Sequence, residues 1–289
     1  MSKRFSDRKD AQNIKVDGLH KMLVCISPLR CDSDVYINEK IDVTNLVNYV
    51  KEKKIKNPEF TFFHAFSTAI GKLIYLRPYL NRYIMNRKFY ERNEITIGFV
   101  AKVAFEDSAK ANVNVITLSK EDTVNEVSTK LLERVKRVRG DNRDERDNGT
   151  DDTLSFLGKL PQWLVNIIAW FIIKLDRLDW LPRSMTDNDI YHSSVCITNL
   201  GSIDCGAIYH SVIDFGTNSI MLAIGQIKKE PIVDENNNIV VRDICEFGIT
   251  LDTRLADGFY FAQSINLLKE IINNPSILDL PISEEIKRK

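Results

Sequence analysis

The stretch that most constrains this chain is Gly248-Ile249-Thr250-Leu251-Asp252-Thr253-Arg254-Leu255-Ala256-Asp257-Gly258-Phe259-Tyr260. Ile249 and Leu251 alternate with Thr250 and Asp252, the period of two expected of a half-buried strand. Asp257-Gly258 is a turn signal, with the Asp placed to cap a helix. Phe261, Ile265, Leu268 and Ile272 then recur at helical spacing, which predicts a helix from about Phe259 to Ile272. Two acids, an Arg and a Gly are gathered at one strand-to-helix corner, a place that often carries function.

Composition narrows what such a corner can serve. The chain has 289 residues, 44% hydrophobic and 28% charged, as expected of a globular protein able to bury a sizeable core. Its 40 basic and 40 acidic residues cancel, so it lacks the basic surplus of a nucleic-acid binder. The cysteines, Cys25, Cys31, Cys196, Cys205 and Cys245, are odd in number and form no C-x-x-C pair. That argues against a disulfide framework or a zinc site and for a reducing, cytoplasmic setting. The polar start Met1–Asp7 lacks the apolar core of a secretory signal.

Residues 1–32 read as an N-terminal segment and 33–289 as one domain. Val35, Ile37 and Ile41 predict a strand, and Asp42 or Thr44 caps a helix over Leu46–Lys53. Phe62, Phe63, Phe66, Ala69, Ile70 and Leu73 make a helix that is apolar nearly all round, hence buried, and Pro78 ends it. Arg87–Asn93 reads as a turn before a strand over Ile95–Val103; Val113, Val115 and Thr117 form another. Ser119-Lys120-Glu121-Asp122 approximates a capping box for a helix bearing Val124, Val127, Leu131 and Val135 on one face. Arg139–Asp152 is a solvated, charged loop. Ser193–Thr198 and Met221–Val233 are strand-like, Glu235–Asn238 is a hairpin turn, and Ile239, Val241 and Ile244 lead back to the opening strand.

An insertion at about 153–186 holds all three tryptophans, Trp163, Trp170 and Trp180. Its apolar centre, Trp163–Ile173, falls short of the roughly 20 residues needed to cross a bilayer. Three readings stay open: a helical hairpin packed on the domain or a symmetry mate, an interfacial helix touching a membrane surface through 156–185, or a lid over an acyl pocket.

Asp252-Thr253-Arg254-Leu255-Ala256-Asp257-Gly258 resembles the D-H-R-x-x-D-G signature of the 2-oxoacid dehydrogenase acyltransferase catalytic domain, the chloramphenicol acetyltransferase-like family. Thr198-Asn199-Leu200-Gly201 resembles its S-N-L-G, Met221–Val233 its A-I-L-G-V-G strand and turn, and Asp42-Val43-Thr44-Asn45-Leu46 its D-V-T-x-L helix start. Ile95–Val103 resembles its I-G-I-A-V strand. The resemblance implies an α/β fold with a mixed sheet flanked by helices, coenzyme A as co-substrate, and a homotrimer with its site in a channel between subunits. The 1–32 segment has no room for the lipoyl module that family acyltransferases carry.

In that family a thiol attacks an acyl thioester, a His takes the thiol proton, and the S-N-L-G hydroxyl stabilises the oxyanion. Thr198 keeps the hydroxyl; the alternative is an ordinary strand threonine. Thr253 stands in place of the His and cannot act as a base near neutral pH. Asp257 is the corner acid, equally a helix cap. Asp252 and Arg254 read as structural, paired with each other or a neighbour. Of the histidines, His64 reads as core, His192 and His210 flank the Thr198 strand, and His20 has no readable place. His210 is the candidate substitute base. Lys228 and Lys229 read as a solvated loop pair, with CoA phosphates as the alternative. No metal constellation appears. Two functions therefore remain: acyl transfer with a degenerate site, or a non-catalytic CoA-binding, assembly or membrane-surface scaffold.

Overall fold

The computed structural model describes residues 8–102, 111–139, 158–234 and 236–286. The charged stretch 140–152 and the first part of the insertion lie outside them.

Two long strands form the spine. β8 (Ile220–Val233) and β9 (Ile239–Asp252) pair antiparallel along nearly their whole length. The Asp234 carboxylate closes the turn between them, accepting from Asn236 N and Asn238 N at 2.9 and 2.8 Å. β2 (Asp34–Asp42) flanks β9 antiparallel. On the other side β8 pairs parallel with β7 (Val195–Asn199), and β7 parallel with β5 (Ile95–Lys102). β6 (Ala111–Leu118) closes that edge. The mixed sheet thus runs β2-β9-β8-β7-β5-β6. A second sheet, β1-β4-β3, joins β1 (Ala11–Ile14) to the hairpin of β3 (Arg82–Met85) and β4 (Lys88–Arg92).

One face of the large sheet carries helices. α1 (Gly18–Ile26) sits apart, on the small sheet, with Val24 against Ile84, Phe89 and Leu255. α2 (Thr44–Lys56), α3 (Phe62–Leu76), α4 (Val124–Arg139) and α6 (Gly258–Asn273) enclose one core with the sheet. Phe66 of α3 stacks on Phe247 of β9 at 4.8 Å between ring centres. α5 (Gln162–Arg177) belongs to the insertion. Cys196 and Cys245 are buried, and burial pushes both thiols up to about 12.

The opposite face is covered by irregular chain. Residues 205–213 cross it, and Val212 packs with Cys196 and Met221. They approach so closely that glycines are required beneath them. A Cβ on Gly248 would sit 2.2 Å from the Ile208 carbonyl oxygen, and one on Gly225 2.7 Å from Ala207 N. Gly225 lies at the register shift between Ile224 and Ile227, a bulge that receives this chain. The cover also explains why the expected half-buried strand is buried on both faces: Thr250 and Asp252 are as inaccessible as Ile249 and Leu251.

Three local expectations are corrected. Thr123 and Glu126, not Ser119–Asp122, cap α4: Thr123 N and its hydroxyl both donate to Glu126. Asp122 instead folds back on Ser119 N at 2.7 Å as a turn. The stretch 87–93 is mostly β4, and the turn is Asn86-Arg87, both at positive φ. Lys228 and Lys229 lie on β8, not in a loop.

Gly248→Ala should cost about 1–3 kcal/mol, since backbone blocks the added methyl on a packed face. The check is the urea midpoint; an unchanged midpoint would show that the 205–213 cover yields freely.

Candidate active site

The strand-to-helix corner is held by a buried ion pair. Asp252 accepts from Arg254 at 2.8 Å through Nε and at 2.6 Å through the second terminal nitrogen. Asp252 also accepts from Arg254 N at 3.1 Å, and the Arg254 fork reaches Ser27 O at 2.8 Å. Both side chains are shut from solvent, so this is structural pairing, as read from the sequence. Between them Thr253 points outward, yet its hydroxyl is used: N and Oγ1 donate to Ser33 O at 3.0 and 2.9 Å. Asp257 caps α6, accepting from Tyr260 N at 2.7 Å, and is exposed.

Thr198 lies at the far end of β7, half-buried, facing the irregular cover rather than the helices. Its hydroxyl makes no hydrogen bond among the described residues. The turn after it is fixed by backbone: Leu200 N donates to Ile224 O at 2.9 Å. Gly201 passes so near Gly225 that a Cβ would meet its carbonyl oxygen at 2.6 Å. His210 belongs to the covering segment and is half-buried, and its Nε2 is closed off from solvent with no hydrogen-bond partner among the described residues. Burial alternates along this segment, with His210 and Val212 inward and Tyr209, Ser211 and Ile213 outward. His210 therefore faces the same way as Val212, towards β7 and β8.

One chain does not bring Thr198 and Thr253 together. Thr198 is level with Ala223 and Gly248, and Thr253 lies five residues further along β9, about 17 Å by strand rise. Asp257 lies at the Thr253 end. The histidines divide in the same way. His64 is a core residue: Thr61 N donates to its Nδ1, Ser128 Oγ meets that nitrogen at 3.1 Å, and burial pushes the imidazolium down to about 4. His20 meets Asp17 at 2.8 Å on α1.

His192 is the site that sequence reasoning missed. Its two ring nitrogens meet Asp189 at 2.6 Å and Asp176 at 3.0 Å. Burial alone would push it down, but the hydrogen bonds and charges of the two carboxylates outweigh burial and hold its pKa above the ordinary value. Asp176 is the buried foot of α5, and Arg8 donates to its carbonyl at 2.7 Å. Asp189 lies only three residues before His192 and Asp176 sixteen, but the pair falls in a short irregular turn with no periodicity to mark it, and the Arg8 contact comes from the other end of the chain. Among the described residues no cluster of His, Cys, Asp and Glu could hold a metal.

The chain is similar to known proteins in sequence and in fold. Residues 181–280, which carry both Thr198 and the corner, match the model of the 2-oxoacid dehydrogenases acyltransferase catalytic domain. Over those residues the chain is similar to that catalytic domain. It is 25% identical over 240 residues to the lipoamide acyltransferase component of the branched-chain alpha-keto acid dehydrogenase complex of Bacillus subtilis. That match takes in 81% of this chain and 45% of the relative, so the chain spans less than half the length of that protein. The fold is that of the cubic core of the pyruvate dehydrogenase multienzyme complex (TM-score 0.60, 14% identity, 92% of this chain and 94% of that one). It is equally that of a probable dihydrolipoamide acetyltransferase from Listeria monocytogenes (TM-score 0.58, 17% identity, 91% and 95%). Chloramphenicol acetyltransferase shares it at TM-score 0.52 and 11% identity, over 92% and 99%.

Because the folded pKa of His192 is raised, the stability it adds is complete below its unfolded value, about 6.5, and is lost as pH rises through the folded value. Asp176→Asn should cost about 3 kcal/mol and flatten this alkaline limb. Urea unfolding across pH 6 to 9 tests it; equal slopes in both proteins would rule the latch out.

Proposed function

We propose that this chain transfers an acyl group between coenzyme A and a thiol acceptor, with a reduced catalytic set. The carrying observation is the unengaged hydroxyl of Thr198 at the end of β7, on a turn locked by the Gly201–Gly225 approach and within the family match. An oxyanion donor needs only an O–H held in the right place, and the turn that follows Thr198 is held by the Leu200–Ile224 backbone hydrogen bond.

The step follows from ordinary thioester chemistry. The acceptor sulfur attacks the carbonyl carbon, and its proton passes to the Nε2 of His210, which has no hydrogen-bond partner among the described residues. The tetrahedral oxyanion accepts a hydrogen bond from Thr198. Collapse breaks the carbon–sulfur bond to coenzyme A, whose thiolate recovers the proton from the imidazolium. Thr253 takes no part as a base, and its hydroxyl is already committed to Ser33 O. The 17 Å or so between Thr198 and Thr253 fits a homotrimer in which the Thr198 end of one subunit faces the corner of the next.

A second reading is favoured by the same Thr253 contact: a homologue that has given up catalysis for binding or scaffolding. α5 supports it. Trp163, Trp170 and Phe171 are more exposed than buried, leaving an apolar face that a partner or a membrane surface could cover. No helix among the described residues is long and apolar enough to cross a membrane.

Turnover of acetyl-CoA with dihydrolipoamide decides between the two. We expect slow transfer in the wild type and a loss of about 10²-fold in Thr198→Ala. His210→Ala should lose a comparable factor, and Thr253→His should gain tenfold or more, within the roughly 10²- to 10⁴-fold range of general-base help. No turnover above the uncatalysed rate in either wild type or Thr253→His would leave the scaffold reading standing.

A further inference from the structure

A cleft of about 410 Å³ opens beside the Asp252–Arg254 corner, between the loop after α1, the β3–β4 turn and the foot of α5. Its charge is one-sided. Arg30, Arg87, Arg177 and Arg254 line it, against Asp214. Arg177 is paired with Asp214 at 3.1 Å and Arg254 with Asp252 at 2.6 Å. Four guanidinium charges less two carboxylates leave two positive charges uncancelled.

The uncancelled charges belong to Arg30 and Arg87, and each is unusual. Arg30 is 2% exposed. Its terminal nitrogens donate only to carbonyls, Ile84 O at 3.1 Å, Ile213 O at 3.2 Å and Phe215 O at 3.3 Å, and its Nε has no acceptor. No carboxylate is bonded to it, and burial pushes its pKa down to about 10 despite the nearby charges of Asp252 and Asp214. An anion in the cleft would relieve that cost.

Arg87 stands at the rim in a two-residue hairpin loop with φ +59°, a conformation for which Gly is the usual choice. An arginine there is conformationally costly and makes no hydrogen bond or ion pair among the described residues. Its neighbour Asn86 donates to Arg177 O at 2.8 Å, so the turn and the foot of α5 are fixed relative to each other. The rim cation is therefore carried by anchored backbone.

We infer that this cleft is a binding site for an oxyanion-bearing ligand, a phosphate ester or a carboxylate. The fork of Arg87 and the open side of Arg177 would grip it, and the buried field of Arg30 would reinforce them. Planar guanidinium groups match the geometry of both oxyanions. The site does not depend on acyl transfer, since it is read by binding alone.

The test is calorimetric titration and thermal shift of the full chain with inorganic phosphate and with succinate, at constant ionic strength against potassium chloride. Saturable binding of at least one, absent with chloride, is expected; the tighter of the two identifies the class. Arg87→Gly removes the rim cation while supplying the residue the turn prefers, so its Tm should be no lower than wild type. Its affinity should fall about tenfold, the loss expected for one charge-assisted contact. Arg177→Gln should weaken binding as well. Absence of saturable binding with both anions, or an affinity unchanged in Arg87→Gly, would overturn the site.

Discussion

Everything distinctive in this molecule depends on backbone meeting backbone across the outer face of the sheet. Gly201, Gly225 and Gly248 let residues 200–213 lie directly on β8 and β9, where any side chain would collide with a carbonyl or an amide. That contact fixes the turn after Thr198 and carries His210 over the sheet. It also seals Thr250 and Asp252 from water. A sheet covered by helices on one face and by irregular chain on the other must still satisfy the backbone of that chain. Here the bulge at Gly225 does so: Gln226 N donates to Cys205 O at 2.9 Å, and Leu200 N to Ile224 O.

Sealing the outer face has an electrostatic consequence. Charges at its edge lose water and must find partners inside the protein. Asp252 finds Arg254, His192 finds Asp176 and Asp189, and Arg8 finds Asp10 and Asp176. Arg92 donates to His192 O, Ser193 O and Thr217 O, with carbonyl dipoles in place of a carboxylate. Such pairs add little net stability over apolar packing, but breaking one leaves a stranded charge. They therefore act as position-setting contacts. They tie the N-terminal strand, the foot of α5 and the approach to β7 into one frame, so that the insertion is anchored at its base while its apolar length stays open.

What could be read from the sequence follows the same division. Periodicity located the elements whose partners are generic: β9, α3, α4 and α6 lie within a few residues of the predicted spans because an apolar stripe needs only some apolar surface. Ordered motifs located the Thr198 turn and the corner. Misreadings came where one specific partner decides. The β3–β4 turn was hidden because Asn86-Arg87 lacks the Gly that signals such a hairpin. The cap of α4 shifted because Ser119 and Thr123 both precede an acid three residues on, and only packing chooses between them. The Arg30 cleft joins segments far apart in the chain, and the His192 latch is made in irregular chain between α5 and β7, so no periodic pattern records either.

The corner itself shows how the side chain at 253 can vary without loss of the fold. Its shape is set by Asp252 gripping Arg254, by Arg254 reaching Ser27 O and by Asp257 capping α6. None of these contacts uses the side chain at 253. Residue 253 is exposed at the surface of a turn already determined by its neighbours. Thr253 then joins its loop to the start of β2 through Ser33 O. An imidazole there would have to stand free of that contact to accept a proton, whereas a hydroxyl can donate to the carbonyl and strengthen the frame. At this position Thr253 is a structural contact, tying the corner to the start of β2.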